Sequence, residues 1–187
     1  MKKTVLTFGT IAGVILSAMM LLTIPFQDRI GFDRGAIVGY TTMVLAFLMI
    51  HFGVRSYRDN VAGGTISFGR ALKVGALIAA LASVWYVATW EVIYYKVSPD
   101  FIAKYQAHIL ERARADGETD AQIAKRQADL EKYARWYKNP AINAAMTFLE
   151  PLPVALIMSL VSAGLLSRRQ KNEGENVQGV AGTRVVT

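Results

Sequence analysis

Two glutamates, Glu91 and Glu150, have the clearest capacity for chemistry, because they are the only acids set within long hydrophobic stretches of the chain. An ionisable side chain inside a membrane-spanning helix is costly and indicates a functional site by default. If the two carboxylates lie close together, they could share a proton or a cation, which is the chemistry of ion-coupled transport. The alternative is that each acid lies near the lipid headgroups and is hydrated independently.

The stretches that hold these acids are long enough to cross a membrane. The chain has 187 residues, of which 53% are hydrophobic, and its mean hydropathy is +0.29. It contains four uncharged windows, and a bilayer core needs roughly 20 apolar residues per helix. This pattern excludes a soluble globular protein, a disordered protein and a secreted disulfide scaffold. The predicted spans are residues 5–24, 35–53, 71–95 and 149–166.

The first span resembles a signal peptide only in its basic start. Its apolar stretch is longer than the usual 7–15-residue apolar segment of a signal peptide. No clear Ala-x-Ala cleavage site follows it. We therefore interpret it as a retained span.

The segment between the third and fourth spans, residues 99–138, predicts a helical hairpin outside the bilayer core. Apolar residues recur in it at three- and four-residue steps, as they do in amphipathic helices. Gly117 breaks this pattern, and Thr119 with Gln122 predicts a capping box at the start of the second helix. Ser98, followed by Pro99, predicts the start of the first helix.

These segments together predict an all-α polytopic membrane protein with four transmembrane helices. Residues 1–169 form the membrane domain, with the hairpin 99–138 as an insertion. The remaining residues, 170–187, have no hydrophobic period and predict a disordered cytoplasmic tail.

Lys and Arg residues predict the orientation, because cytoplasmic flanks of membrane spans are rich in them. With four spans, both termini share a side with the loop between the second and third spans, and that side holds most of the short-loop basic residues. We therefore predict a bacterial inner-membrane protein with cytoplasmic termini and an outward hairpin. The cytoplasmic cluster expected to contact anionic lipid headgroups is Arg55, Arg58, Arg70, Lys73, Arg168 and Arg169.

Small residues at four-residue spacing predict where the spans pack. Helices in lipid associate through close backbone approach at such residues. Packing within one bundle is the first interpretation, and a homodimer that uses one of these faces is the alternative. The glycines predicted to pack are Gly9, Gly13, Gly35, Gly39 and Gly75.

Aromatic residues are concentrated at the outer end of the third span. Trp and Tyr favour the membrane interface, because their rings combine an apolar body with a polar end. We expect an interfacial belt, with a stacking site for a ligand as the alternative. The belt consists of Trp85, Tyr86, Trp90, Tyr94 and Tyr95.

Most enzyme and metal-site motifs are missing from the sequence. It has no cysteine, and its two histidines, His51 and His108, lie on opposite sides of the predicted membrane. It shows no Ser-His-Asp set, no HExxH and no Gly-rich phosphate loop. We therefore predict no catalytic residues, no metal and no cofactor. Nucleic-acid binding is not expected either, because the membrane topology already accounts for the sequence pI of 9.7.

Several motifs, in their order along the chain, resemble a bacterial membrane family known as domain of unknown function 4199. The resemblance covers about residues 4–169 and implies four spans with a large extracytoplasmic connection. It implies no activity. The motifs are Gly9-x-x-x-Gly13, the run Ile66-Ser-Phe-Gly-Arg-Ala-Leu-Lys-Val-Gly75, Trp90-Glu91 leading to Ser98-Pro99-Asp100-Phe101, and Asn139-Pro140 with Phe148-Leu-Glu150-Pro151-Leu-Pro153.

Two functional classes follow from the sequence. The first is a structural or interaction protein of the cell envelope, whose hairpin 99–138 docks an envelope protein partner. The second is a small transporter or ion-coupled permease that uses Glu91 and Glu150. An enzyme is the least favoured class.

The topology can be tested with reporter fusions that are active only after export. A fusion at Gly117 should be active and a fusion after Arg169 should be inactive, because the two sites lie on opposite sides of the membrane. Activity at both sites would mean an odd number of spans and would contradict the four-span topology.

Overall fold

The computed structural model describes residues 1–182, with the side chains of residues 1–167. The described part is helical and contains no strand. The predicted tail, 170–187, lies outside the residues whose side chains are described, and its disorder stays a prediction. The helices are α1 (Lys2–Thr23), α2 (Gln27–Ile30), α3 (Phe32–Asn60), α4 (Phe68–Val92), α5 (Phe101–Ala115), α6 (Asp120–Tyr137), α7 (Pro140–Leu149) and α8 (Leu152–Gly182).

Four helical segments are long and apolar enough to cross a membrane, which confirms the predicted number of spans. A 3-10 turn, Ile24–Phe26, connects α1 to α2, and a π-helical turn, Ile93–Val97, extends α4. The four segments are Lys2–Ile30, Phe32–Asn60, Phe68–Val97 and Pro140–Ser167.

The fourth span begins earlier than predicted, at Pro140 instead of near residue 149. The Asn139 side chain accepts a hydrogen bond from the Ala141 backbone N–H at 3.0 Å and caps α7. Pro140 occupies the first helical position, where its missing N–H is not needed. The helix is interrupted only at Glu150 and Pro151, because Pro151 has no N–H to donate within a helix. The fourth span is therefore two helices, α7 and α8, separated by a break next to Glu150.

The start of the hairpin also differs from the prediction. The chain continues from α4 through the π-helical turn, and α5 begins at Phe101 with Asp100 as its N-cap residue. The predicted cap at Ser98 and Pro99 is therefore wrong. The local pattern is misleading because the Ser98 hydroxyl donates to the Asp100 carboxylate, at 3.4 Å, instead of capping the helix.

Helix α4 lies at the centre of the bundle and packs against α1, α3, α7 and α8. Gly9 and Gly13 of α1 allow this approach: a Cβ atom placed on Gly13 would lie 2.6 Å from the Trp85 Cβ, and one on Gly9 would lie 2.8 Å from Leu81. Gly75 of α4 is similarly confined by Ile50 and Ser159. The predicted packing role is confirmed at these three glycines.

At Gly35 and Gly39 the packing role stays a prediction, because a Cβ placed there has no atom of another described span among its nearest neighbours. A Cβ on Gly35 would meet only the Gln27 side chain, which belongs to the short helix α2 and not to another span. A Cβ on Gly39 would meet no described atom within 4 Å. The spacing of small residues indicates which helix face could approach a neighbour, but it does not show whether a neighbour is there.

Helices α5 and α6 pack against each other as a helical hairpin, and the side of the membrane on which it lies stays a prediction. The Gln106 side chain of α5 donates to the Leu130 carbonyl of α6 at 2.7 Å. Gly117 adopts a φ of +79°, a left-handed conformation that favours glycine. The Thr119 and Gln122 capping box is present in both directions, which confirms the predicted start of α6.

The hairpin lies against the loop between the first two spans. The Lys104 ammonium pairs with Asp28 at 2.8 Å, and the Arg112 guanidinium pairs with Asp33 at the same distance. The Phe32 ring contacts the rings of α5, with centroid distances of 5.6 Å to Phe101, 5.6 Å to Tyr105 and 5.2 Å to His108. One face of the hairpin is therefore occupied by its own bundle.

Replacing Gly13 with alanine should destabilise the bundle, because the added methyl group would collide with Trp85. Overpacking of this kind costs about 1–3 kcal/mol. Thermal unfolding of the detergent-purified protein, followed by circular dichroism, should show a lower midpoint. Gly164→Ala is the matched control, because a Cβ there meets no described atom within 4 Å. Equal midpoints for the two variants would contradict close packing at Gly13.

Candidate functional site

A cavity of about 910 Å³ lies between the hairpin and the neighbouring ends of the spans. Met20, Tyr40 and Tyr86 line it from α1, α3 and α4, while Glu150 lines it from the break between α7 and α8. Gly39 also faces this cavity, which explains why no neighbour approaches it. The hairpin contributes the other wall, with Phe101, Ile102, Tyr105 and Ile109 from α5 and Leu130, Tyr133 and Tyr137 from α6.

Glu150 is the one charged residue that the described spans contribute to the cavity lining. The Tyr86 hydroxyl donates a hydrogen bond to Glu150 Oε2 at 3.0 Å. The break between α7 and α8 places the carboxylate here, because Pro151 follows it directly and ends the regular hydrogen bonding of the helix. No salt bridge to Glu150 is found within the part of the chain whose side chains are described. The site therefore holds an accessible carboxylate with a single hydrogen-bond donor.

Phenol rings of α6 surround the same region. Burial raises the pKa of Tyr133, and Coulombic interactions with Tyr105 and Glu150 raise it further. Burial also raises the pKa of Tyr137, against a lowering effect of its hydrogen bond with Thr147. Both phenols are therefore neutral at physiological pH, and they line the cavity without adding a charge to it.

The charged part of the cavity lies along the first half of α6. Arg126 donates from its Nε to Glu118 Oε2 at 3.0 Å and makes a second contact to the same carboxylate. Lys125 and Asp129 also line this part. The cavity thus has an aromatic and aliphatic end that contains Glu150 and a charged end that contains residues of both signs.

A buried hydrogen-bond network joins the base of the hairpin to α7. The Trp90 indole N–H donates to Asn143 Oδ1 at 3.1 Å, and the Thr147 hydroxyl donates to the same oxygen at 3.2 Å. The Tyr137 hydroxyl lies 3.2 Å from the Thr147 hydroxyl. All four residues are buried, so the network fixes the base of the hairpin, which forms one wall of the cavity, to α7.

The structure does not bring the two predicted acids together in this cavity. Glu91 is not among the residues that line it, and its Oε1 atom is buried without a hydrogen-bond partner among the described residues. Trp90 does line the cavity, and the next residue of an α-helix points about 100° away. Within the described residues, no group of three or more His, Cys, Asp or Glu side chains is placed to hold a metal ion.

The predicted aromatic belt divides into exposed and internal residues. Trp85 and Tyr95 are exposed, as an interfacial belt requires, and Tyr94 is half-buried. Trp90 is only 7% exposed and contacts Phe101 and Tyr137, so for this residue the belt prediction is wrong. It belongs to the core because the hairpin covers it.

The predicted cytoplasmic cluster is exposed at Arg55, Arg70 and Lys73. Arg58 differs, because it is 5% exposed and its Nε donates to Asp59 Oδ1 at 2.6 Å. The prediction that Arg58 faces lipid is therefore wrong: it lies on the same buried face of α3 as Val54. The side chains of Arg168 and Arg169 lie outside the described residues.

Sequence analysis missed three groups that shape the site. Tyr40 gave no signal beyond being an aromatic residue in a span, and Asn143 lay in a stretch assigned to no element. Tyr133 and Tyr137 are among the apolar residues that recur in the segment 99–138, where they form a stripe on the second hairpin helix. The stripe marks them as inward-facing, but no local pattern shows that they face Glu150.

A family model described as "Protein of unknown function (DUF4199)" matches residues 7–168. The chain belongs to this family. This confirms the resemblance seen in the motifs, and it leaves the activity open. None of the curated proteins and none of the solved structures that were compared with the chain matches it.

Replacing Thr147 with valine should destabilise the protein, because the Tyr137 hydroxyl would lose its buried partner. A buried polar group left unpaired costs about 1–3 kcal/mol. Thr42→Val is the matched control, since the Thr42 hydroxyl bonds only to the Val38 carbonyl of its own helix, at 2.8 Å. Thermal unfolding in detergent should show a clearly larger loss for Thr147→Val, and equal losses would contradict a structural role for the network.

Proposed function

We propose that the protein is a non-enzymatic binding protein of the bacterial inner membrane, which holds a small apolar or amphiphilic molecule beneath its hairpin. The observation that supports this proposal is the cavity of about 910 Å³ between the hairpin and the spans. This proposal is a more specific form of the interaction-protein class that the sequence favours. The first partner is a small molecule, and the lipid bilayer is its source or its surroundings.

The size and the lining of the cavity both support small-molecule binding. Ligand pockets have volumes of roughly 300–1,000 Å³ and are lined mainly by hydrophobic and aromatic side chains with a few placed polar groups. Here the aromatic groups include Tyr40, Trp90 and Tyr133, and the polar pair is Tyr86 and Glu150.

The orientation of the chain is part of this proposal. The distribution of Lys and Arg favours cytoplasmic termini, so the hairpin and the cavity would face the outer side of the membrane. The exposed side chains of Arg55, Arg70 and Lys73 fit the opposite, cytoplasmic surface. A ligand would then enter from the outer leaflet or from the space beyond it.

Transport is the second candidate function, and the position of Glu150 favours it. An accessible carboxylate in a cavity within the outer part of the bundle is suited to bind a cation or a proton during translocation. A role for Glu91 in the same step would need a rearrangement of α4, because that residue does not line the cavity.

Docking of an envelope protein, or of a second copy of the chain, stays a proposal for the outer face of the hairpin. Trp136 is 51% exposed there, and the Lys132 ammonium lies 5.0 Å from the centre of its ring. An exposed Trp with a cationic neighbour is the kind of residue that is enriched in protein interfaces.

The binding function can be tested by filling the cavity. Gly39→Phe should place a ring in the space that Gly39 leaves open and weaken binding by at least about tenfold. The measurement is saturable energy transfer from tryptophan to a neutral phenylnaphthylamine probe, with the protein in phosphatidylglycerol nanodiscs. Gly164→Phe is the matched control, because Gly164 has open space around it and does not line the cavity. Absence of saturable binding by the unaltered chain would overturn the proposal.

A further inference from the structure

The charge at the aromatic end of the cavity is unbalanced. Glu150 accepts one hydrogen bond from Tyr86, and no described Lys, Arg or His forms a salt bridge with it. Arg126, which also lines the cavity, is already paired with Glu118. An exposed carboxylate that lines a cavity without a basic partner is complementary to a ligand that brings a positive charge.

The rings around this carboxylate favour the same sign of charge. The Tyr86 hydroxyl donates a hydrogen bond to Glu150, and the rings of Tyr133 and Tyr137 line the same cavity. The face of an aromatic ring carries partial negative charge and attracts ammonium groups. An anionic ligand would meet both the carboxylate and these ring faces, and its binding would be disfavoured at this end.

We propose that the cavity binds a molecule with one ammonium-type cationic group on an apolar body, with Glu150 as counter-charge and with Tyr86 and Tyr133 as the neighbouring rings. The apolar body fits the aliphatic lining that Met20, Met43 and Ile24 provide. This inference rests on the proposed binding function and specifies the class of its ligand.

Two sources could supply this chemistry. The ammonium group can belong to the headgroup of an aminophospholipid in the membrane, or to a free hydrophobic amine that enters the cavity. Both would place the same group on Glu150, and the composition of the surrounding bilayer distinguishes them.

The test compares two competitors of equal length against the neutral probe used above. In phosphatidylglycerol nanodiscs, hexyltrimethylammonium should displace the probe from the unaltered protein at a concentration about tenfold lower than hexanesulfonate. Glu150→Gln should reduce this preference to the part that the anionic bilayer causes by itself. Glu91→Gln is the matched control: it removes the same charge from a span but not from the cavity lining, so it should keep the preference.

A second variant keeps the inference testable if Glu150→Gln misfolds. Tyr133→Leu should reduce the cation preference about threefold, and Tyr95→Leu, at an exposed tyrosine that does not line the cavity, should leave it unchanged. Equal displacement by the cation and the anion in the unaltered protein would overturn the inference, while binding of the neutral probe would still support the proposed function.

The source is tested by adding phosphatidylethanolamine to the nanodiscs. If the lipid headgroup is the ligand, the apparent affinity of hexyltrimethylammonium should fall more in the unaltered protein than in Glu150→Gln, because the site is already occupied. If the ligand is a free amine, the affinity should change equally in both proteins, since phosphatidylethanolamine only dilutes the anionic lipid around them. Either result is compatible with an ammonium site, provided that Glu150→Gln reduces the cation preference.

Discussion

Helices in a bilayer gain no hydrophobic free energy by meeting each other, so they must approach closely enough for dispersion forces and hydrogen bonds to hold them together. In this protein a close approach joins α1 and α4, where Gly9 and Gly13 lie against Leu81 and Trp85. It places α4 at the centre of the bundle and thereby positions Tyr86 and Trp90. Gly39 has the opposite effect: no described atom lies within 4 Å of a Cβ placed there, and the cavity occupies the space. Small residues therefore close one part of the bundle and open another.

The hairpin is held unequally at its two ends. At its base, Tyr137 joins a buried hydrogen-bond network with Thr147, whose partners cannot be replaced by water without rearrangement. At the other side, Lys104 and Arg112 pair with Asp28 and Asp33 on the surface, where solvent screens such pairs, and the Phe32 ring packs against α5. The hairpin is therefore held by buried hydrogen bonds at α7 and by surface ion pairs and ring contacts at α2 and α3.

Most of the fold could be predicted from the sequence, because hydrophobic length, capping residues and glycine turns are local signals. The four spans, the hairpin, the capping box and the turn at Gly117 follow from them. The errors arise where a neighbour distant in sequence decides the outcome. The sequence pattern predicts that Arg58 faces lipid, but its side chain is buried on the inner face of α3. It also predicts that the Trp90 ring lies at the membrane interface, but the hairpin covers this ring. Gly35 and Gly39 match the spacing of packing residues, although the described atoms nearest to a Cβ on Gly35 belong to Gln27 and none lies within 4 Å of a Cβ on Gly39.

The arrangement of the site was harder to predict from the sequence than the fold, for the same reason. Sequence spacing gives the depth of a residue along a span, since each residue adds 1.5 Å, and it places Glu91 and Glu150 at similar depths. It does not give the direction in which each side chain points around the helix axis. Trp90 faces the cavity, so Glu91, one residue further along α4, points about 100° away, while the break at Pro151 leaves Glu150 in the cavity lining. The cavity therefore receives one span carboxylate rather than two. A pair would suit a shared proton, whereas a single carboxylate among neutral phenols suits one cationic group.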